Sequence, residues 1–209
     1  MADVWEILRS GGEINNDTPD KAEYTDALLN AEMLRIEYNS TVLSASDRRD
    51  LLSKIVGYEV DSEVRVVPPV YFDFGFKIKL GKGVLVNYDC SLLDTGDITI
   101  GDNVLIGPGS KIVTASHPFD LERRRKLGTS CKPVVIKDDV WLGAGVIVLP
   151  GVTIGARSII GAGAVVTKDI PDDVVAVGNP ARVIRDLRSS KAERPPGLLA
   201  SIKNRGRVK

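Results

Sequence analysis

Twelve words of six residues run through the middle of this chain. The third residue of every word is aliphatic: Leu80, Val86, Leu92, Ile100, Ile106, Ile112, Ile136, Leu142, Val148, Ile154, Ile160 and Val166. Ile, Leu and Val supply only 61 of the 209 residues, so composition alone does not produce twelve in twelve. The first residue of each word is aliphatic or small, and first and third residues of a short strand point to the same side. Gly follows the third position in six words (Gly81, Gly101, Gly107, Gly143, Gly155, Gly161), where it is expected to let the backbone turn at φ values costly for other residues. One word cannot bury its aliphatic pair. Coils stacked about 4.8 Å apart can, with hydrogen bonds running from coil to coil. Three words to a coil predict a triangular parallel β-helix of four coils, from about Ile78 to about Val166.

The register breaks twice, by Gly96-Asp97 and by the eighteen residues 116–133. Read as a further coil, the longer break would place Pro118, Arg124 and Ser130 at third positions. None is aliphatic, so it is an extruded loop. Both breaks follow the third word of a coil and leave from one corner of the prism. Residues 1–60 change period. Thr18-Pro19-Asp20 reads as a helix start with Pro at the first position, followed by Tyr24, Leu28, Ala31, Leu34 and Tyr38 at helical spacing. A second helix is expected from about Ser46 to Val56. After the last word, IPDDVVAVGNPARVIRDL reads as a strand and turn closing the prism. The expected organisation is a helical segment over 1–60, a β-helix domain over 61–187 with its loop at 116–133, and a mobile basic tail over 188–209. Second positions point outward. On the second face they are Leu85, Leu105, Trp141 and Ile159, an apolar stripe expected to meet another subunit unless the N-terminal helices cover it.

Composition removes several function classes. Lys+Arg and Asp+Glu both number 28, which gives no electrostatic footprint for nucleic acid. The first residues carry Asp3 and Glu6 and lack the apolar stretch of a signal peptide. No run approaches the ~20 apolar residues of a membrane span, so a cytoplasmic protein is expected. Cys90 and Cys131 make neither a disulfide framework nor a metal cluster; Cys131 has no base near it in sequence and reads as inert. Histidine occurs once, at His117. A zinc enzyme of the γ-carbonic anhydrase kind needs a histidine cluster, so no metal is expected.

The words PPVYFDFG, ITIGDNVLIGPG, TASHPFD, VWLGAGVIVLPGVTIGARSIIGAGAVVTKDIP and VGNPARVIR resemble the maltose and galactoside O-acetyltransferase family over roughly residues 5 to 187. The resemblance implies a left-handed β-helix, a homotrimer, acetyl-CoA as donor and a sugar hydroxyl as acceptor. It implies that His117 is the catalytic base and that Asn87 lies beside the reacting groups. It assigns acceptor binding to Asp17, Asp73 and Asp94, although some members carry a second acid where this chain has Thr95. It places the coenzyme against Ala144, Ala162, Thr167, Lys168, Arg182 and Arg185.

The chemistry fits those residue types. A neutral hydroxyl is a poor nucleophile, and histidine is the usual base near neutral pH. The developing oxyanion then needs a donor, and the coenzyme's phosphates need cations. Asn87 is equally readable as a turn residue, Asp17 as a helix cap, and the Arg123–Lys126 run as a solvated loop tip. Asn87, Gly107, Ala144 and Ala162 fall on one edge of the prism, while His117 leaves from another. Sites between subunits of a trimer are therefore expected. An acetyltransferase for amines on the same scaffold, or a non-catalytic hexapeptide module, remains open at this stage.

Overall fold

The computed structural model describes residues 3–40 and 42–189. The N-terminal segment holds α1 (Val4–Arg9), β1 (Glu13–Ile14), α2 (Lys21–Ser40) and α3 (Ala45–Val56). The first coil contributes β2 (Arg65–Val66) and β3 (Val70–Phe72). The second holds β4 (Ile78–Leu80), β5 (Leu85–Val86) and β6 (Cys90–Leu93). The third holds β7 (Ile98–Ile100), β8 (Leu105–Ile106) and β9 (Lys111–Val113). The long insertion folds as β10 (Ala115–Ser116), α4 (Leu121–Arg125) and β11 (Thr129–Cys131). Then come β12 (Val134–Ile136), β13 (Trp141–Leu142) and β14 (Ile147–Val148), and β15 (Thr153–Ile154), β16 (Ile159–Ile160) and β17 (Val165–Val166). β18 (Val174–Val177) and β19 (Arg182–Asp186) finish the solenoid.

Three parallel faces result. The first is β4, β7, β12 and β15; the second β2, β5, β8, β13, β16 and β18; the third β3, β6, β9, β14 and β17. The strands pair in the register of the six-residue words, Trp141 between Leu105 and Ile159, and Ile147 between Lys111 and Val165. Eleven of the twelve third-position residues are buried, Leu80 being the exception at the edge of the first face. The solenoid has about six turns rather than four. Val64-Arg65-Val66 and Val70-Tyr71-Phe72 already obey the alternation, and Arg65 and Val66 pair with Leu85 and Val86. At the other end Val175 and Ala176 pair with Ile159 and Ile160, and β19 covers β18 as an antiparallel strand.

The corner chemistry differs from expectation. None of the fourth-position glycines has a positive φ. Left-handed backbone falls at the sixth position, in Gly83, Asp89, Asn103, Gly109, Asp139, Gly145, Gly151, Arg157 and Gly163. The fourth-position glycines are needed for closeness instead. A Cβ on Gly107 would stand 2.6 Å from the Gly143 carbonyl carbon, and one on Gly143 would stand 2.6 Å from the Ala162 nitrogen. Two stacked coils leave no room there for a side chain.

Two further expectations change. The helix expected at Thr18-Pro19-Asp20 begins only at Lys21. Asp20 takes φ 59°, a left-handed turn residue, and Thr18 Oγ1 accepts from the Asn15 N–H instead of capping a helix. α1, which the sequence reading omits, is capped by the Asp3 carboxylate on the Glu6 N–H. α3 starts after the Ser44 cap and ends at left-handed Gly57, close to expectation.

α2 lies over the first coil. Tyr24, Ala31 and Tyr38 face inward, the Tyr38 hydroxyl donates to the Val66 carbonyl and Arg35 donates to the Phe72 carbonyl. It does not lie on the second-face stripe, where Leu105 and Trp141 are 46% and 51% exposed. Of the tail, residues 190–209 lie outside the described residues.

Candidate active site

The insertion is a small structured unit. β11 pairs antiparallel with β10 on one side and with β1 on the other, Glu13 opposite Ser130 and Ile14 opposite Thr129. The N-terminal segment and the loop are thus one sheet. Charges tie them further: Arg123 to Glu13 at 2.6 Å and Lys126 to Asp17 at 2.7 Å. Both pairs have exposed members, so each contributes little energy and mainly fixes orientation.

His117 stands exposed at the mouth of this unit. Its Nδ1 lies 2.8 Å from the carbonyl of Gly128. A carbonyl only accepts, so Nδ1 carries a proton, and in the neutral imidazole the lone pair is then on Nε2. Gly128 is itself required: a Cβ there would stand 2.9 Å from the backbone carbonyl oxygen of Arg123 and 2.9 Å from the Pro118 ring. The turn that orients the imidazole can form only around a residue without a side chain. The Leu127-Gly128 pair was the available sequence signal for it.

Asp17 is exposed and paired with Lys126, and it does not cap α2. Asp73 sits half-buried at the end of β3. Its carboxylate accepts from the Thr95 hydroxyl at 2.8 Å. Burial pushes its carboxyl above the ordinary range, with the Thr95 hydrogen bond opposing. Asp94 was expected in contact with the acceptor, but it is fully buried. Its two oxygens accept from the backbone N–H groups of Asp73, Phe74, Gly75 and Lys77. Asp94 therefore shapes the turn that carries Asp73 and offers no surface to a small molecule. Thr95, which the resemblance marks only as a replaced acid, and Tyr24, which the spacing marks only as a helix core residue, join this cluster. Thr95 anchors Asp73, and Tyr24 reaches the same group from α2.

Asn87 occupies a fourth position, with Gly107, Gly143 and Gly161 in the coils stacked after it. Its Oδ1 accepts from the Tyr88 N–H. Its Nδ2 makes no hydrogen bond among the described residues and stays available as a donor. Ala144 and Ala162 are exposed on the same edge. Thr167 and Lys168 are exposed on a different edge, the one after the third face, from which the His117 loop also leaves. Lys168 therefore does not stand beside Ala144 and Ala162. Six residues per word move it one corner away. Arg182 and Arg185 are exposed on β19, Arg185 opposite Val175. One chain thus collects Asp17, Asp73, His117, Thr167 and Lys168 at one edge, and Asn87, Ala144 and Ala162 at another.

Cys131 is buried and its thiol donates to the Leu8 carbonyl; burial pushes it up. No group of His, Cys, Asp and Glu among the described residues is arranged to hold a metal. No described helix is long and apolar enough to cross a membrane.

Residues 133–168 match the model of the bacterial transferase hexapeptide family (six repeats). The galactoside O-acetyltransferase of Escherichia coli is 41% identical over 159 residues, covering 76% of this chain and 78% of that protein. The crystal structure of a maltose O-acetyltransferase from Clostridium difficile superposes with a TM-score of 0.83 at 38% identity, over 89% of this chain and 98% of that one. A hexapeptide-repeat acetyltransferase from Vibrio cholerae, crystallised with acetyl coenzyme A, gives a TM-score of 0.79 at 39% identity, over 87% and 97% of the two chains. With identity this high along a solenoid whose register is fixed word by word, the chain belongs to the hexapeptide-repeat acetyltransferases of the galactoside and maltose O-acetyltransferase family.

Proposed function

We propose that this protein moves an acetyl group from acetyl-CoA to a hydroxyl of a sugar or similar small acceptor, with His117 as general base. The observation that carries the reading is the Nδ1–Gly128 hydrogen bond, which leaves Nε2 as the acceptor nitrogen on an exposed loop. Bound acetyl-CoA supplies an acyl group already activated as a thioester. His117 Nε2 takes the acceptor's hydroxyl proton as the oxygen adds to the acyl carbon. Asn87 Nδ2 donates to the developing oxyanion. The imidazolium returns its proton to the departing thiolate, and the base is regenerated. Asp17 and Asp73 receive the acceptor's other hydroxyls, with Thr95 and Asp94 holding Asp73 in place.

The two edges that carry these groups meet if neighbouring chains pack edge to edge in a threefold assembly. The exposed stripe of Leu105 and Trp141 supports that arrangement. So do Phe119, Leu121 and Leu127, exposed apolar residues of the His117 loop. The coenzyme would then lie between Ala144 and Ala162 of one chain and Thr167 and Lys168 of the next, with Arg182 and Arg185 near its phosphates.

The test of the reaction is thiol release from acetyl-CoA against a panel of sugars, polyols and amines. Release with hydroxylated acceptors is expected. Release with amines alone would replace the acceptor class, and none with any acceptor would reject the reading. Two variants examine the assembly and the donor site. Leu105→Lys should fold but fail to assemble, because a cation tolerated on an exposed face is buried unpaired at an interface at a cost of several kcal/mol. Light scattering that still reports trimers would place the interface elsewhere. Lys168→Ala with Arg185→Ala should raise KM for acetyl-CoA about tenfold or more and leave that of the acceptor nearly unchanged. The loss should shrink at high ionic strength, where the lost charges are already screened. An unchanged coenzyme constant would move the phosphates away from these cations.

A further inference from the structure

The helices cap the first coil, but α3 and β2 do not close on each other. Between them lies a cleft of about 440 Å³, within the size range of small-molecule sites. Tyr38, Leu52 and Val66 give it apolar walls. Three arginines line it as well, Arg48 and Arg49 of α3 and Arg65 of β2, and no acidic residue does. Arg48 is fixed in place: it donates to the Tyr38 carbonyl at 2.9 Å and lies over the Tyr38 ring, 5.2 Å from its centroid. Arg49 is half-buried and Arg65 exposed. Neither of these two guanidinium groups has a hydrogen bond or ion pair among the described residues. A half-buried cation without a partner has lost part of its hydration and found no ion in return.

The cleft adjoins the proposed site. Arg65 and Val66 pair with Leu85 and Val86, and the Val67 N–H donates to the Val86 carbonyl at 2.8 Å. Val67 and Pro68 line the cleft, and Val67 stands one coil, about 4.8 Å, beneath Asn87 on the same edge. Arg65 continues the outward row of Leu85, Leu105 and Trp141 down to the first coil. Asp73 follows β3, which belongs to that coil too. A threefold axis parallel to the solenoid preserves height, so Asp73 of one chain and Arg65 of its neighbour stand at one level where the edges meet.

We propose that this cleft takes an anionic group of the acceptor, a phosphate or a carboxylate, so that the substrate class is an acidic sugar. The identity of the occupant rests on the acetyl-transfer reading, whereas the demand for an anion rests on the arginines. A guanidinium presents parallel N–H donors that match two oxygens of either group. The reacting hydroxyl then points to His117 and Asp73 of one chain, and the charge to Arg49 and Arg65 of the next. Asp73 repels the anion and the arginines attract it, so the sugar has one favoured orientation. The unit built on β1 and β11 still selects hydroxyls, and the cleft adds the requirement for charge.

The test compares glucose, glucuronate and glucose 6-phosphate, as acceptors in the thiol-release assay and as ligands in titration calorimetry. At least one acid should exceed glucose about tenfold or more in kcat/KM and in affinity. Which acid leads distinguishes carboxylate from phosphate. Arg49→Gln with Arg65→Gln keeps the apolar stems in the wall and should bring both ratios down to about one, with each single variant in between. The advantage of the acids should shrink as NaCl rises from about 0.05 to about 0.5 M. Circular dichroism verifies that the variants fold. Native protein that treats glucose and both acids alike would overturn the proposal, as would ratios that survive the double variant. So would a double variant that light scattering finds dissociated, because a carboxylate of the neighbouring chain would then be the occupant. If thiol release fails with every sugar, the acetyl-transfer reading falls by itself and calorimetry still decides the cleft. Binding of an acid that the double variant abolishes upholds the anion site, and absence of binding overturns it.

Discussion

Replacing His117 with alanine is expected to lower turnover by about 10²–10⁴-fold, the usual worth of a positioned general base. The KM for acetyl-CoA should stay close to its original value. The side chain is exposed and its one hydrogen bond is to a loop carbonyl, so the fold should be indifferent to its loss. His117→Gln should not rescue, because an amide holds a hydrogen bond but takes no proton at neutral pH. Steady-state kinetics with thiol detection checks both variants. An alanine variant within tenfold of wild type would remove His117 from the chemistry, whatever else the loop does.

The second large effect concerns stability. Asp94→Ala should cost about 3–5 kcal/mol in a urea or thermal melt, because it strips four backbone N–H groups of a buried acceptor at one stroke. The pH dependence has a definite sign. Burial pushes this carboxyl from 3.8 up to about 6, although its N–H donors pull the other way. The folded chain therefore holds the Asp94 proton more tightly than the unfolded chain does. Its contribution is greatest below about pH 4, declines as the pH rises from about 4 to 6, and is flat above that. Asp94→Asn, which cannot titrate, should accordingly cost more at pH 4 than at pH 7. A substitution cost below about 1 kcal/mol for alanine, or an asparagine cost that grows with pH, would contradict this account of the turn.

The solenoid was legible because its period is short and strict. A third position that fails to be aliphatic leaves a hole in a stacked core, so every coil repeats the constraint. The coils at either end were harder to see. Arg65 and Val66, and later Val175 and Ala176, keep the alternation, but their neighbours break the six-residue spacing that marks the middle. The corner glycines show a different limit. From sequence they read as turn formers, yet the left-handed residues are two positions later and include Asp89, Asn103 and Arg157. Glycine at the fourth position answers to the coil stacked on it, about which a local reading carries no information. Asp94 is a similar case. A carboxylate that a family resemblance assigns to the acceptor invites a ligand, and only the three-dimensional turn reveals four amides already converging on it. His117 was easy to find as the lone histidine in the long insertion. Its partner, the Gly128 carbonyl, belongs to the backbone and leaves no side chain to notice.

The joining of β1 to β11 bears on how such a protein changes its acceptor. Residues 13–17 and the insertion are held as a pair, with Glu13 on Arg123 and Asp17 on Lys126. A loop transplanted from a relative without its matching leader would arrive with its cations facing strangers and its His117 turn missing one wall. The two stretches, about a hundred residues apart in sequence, are a single structural unit. Acceptor preference in this protein should travel only when both halves are exchanged together, while the coils beneath them stay as they are.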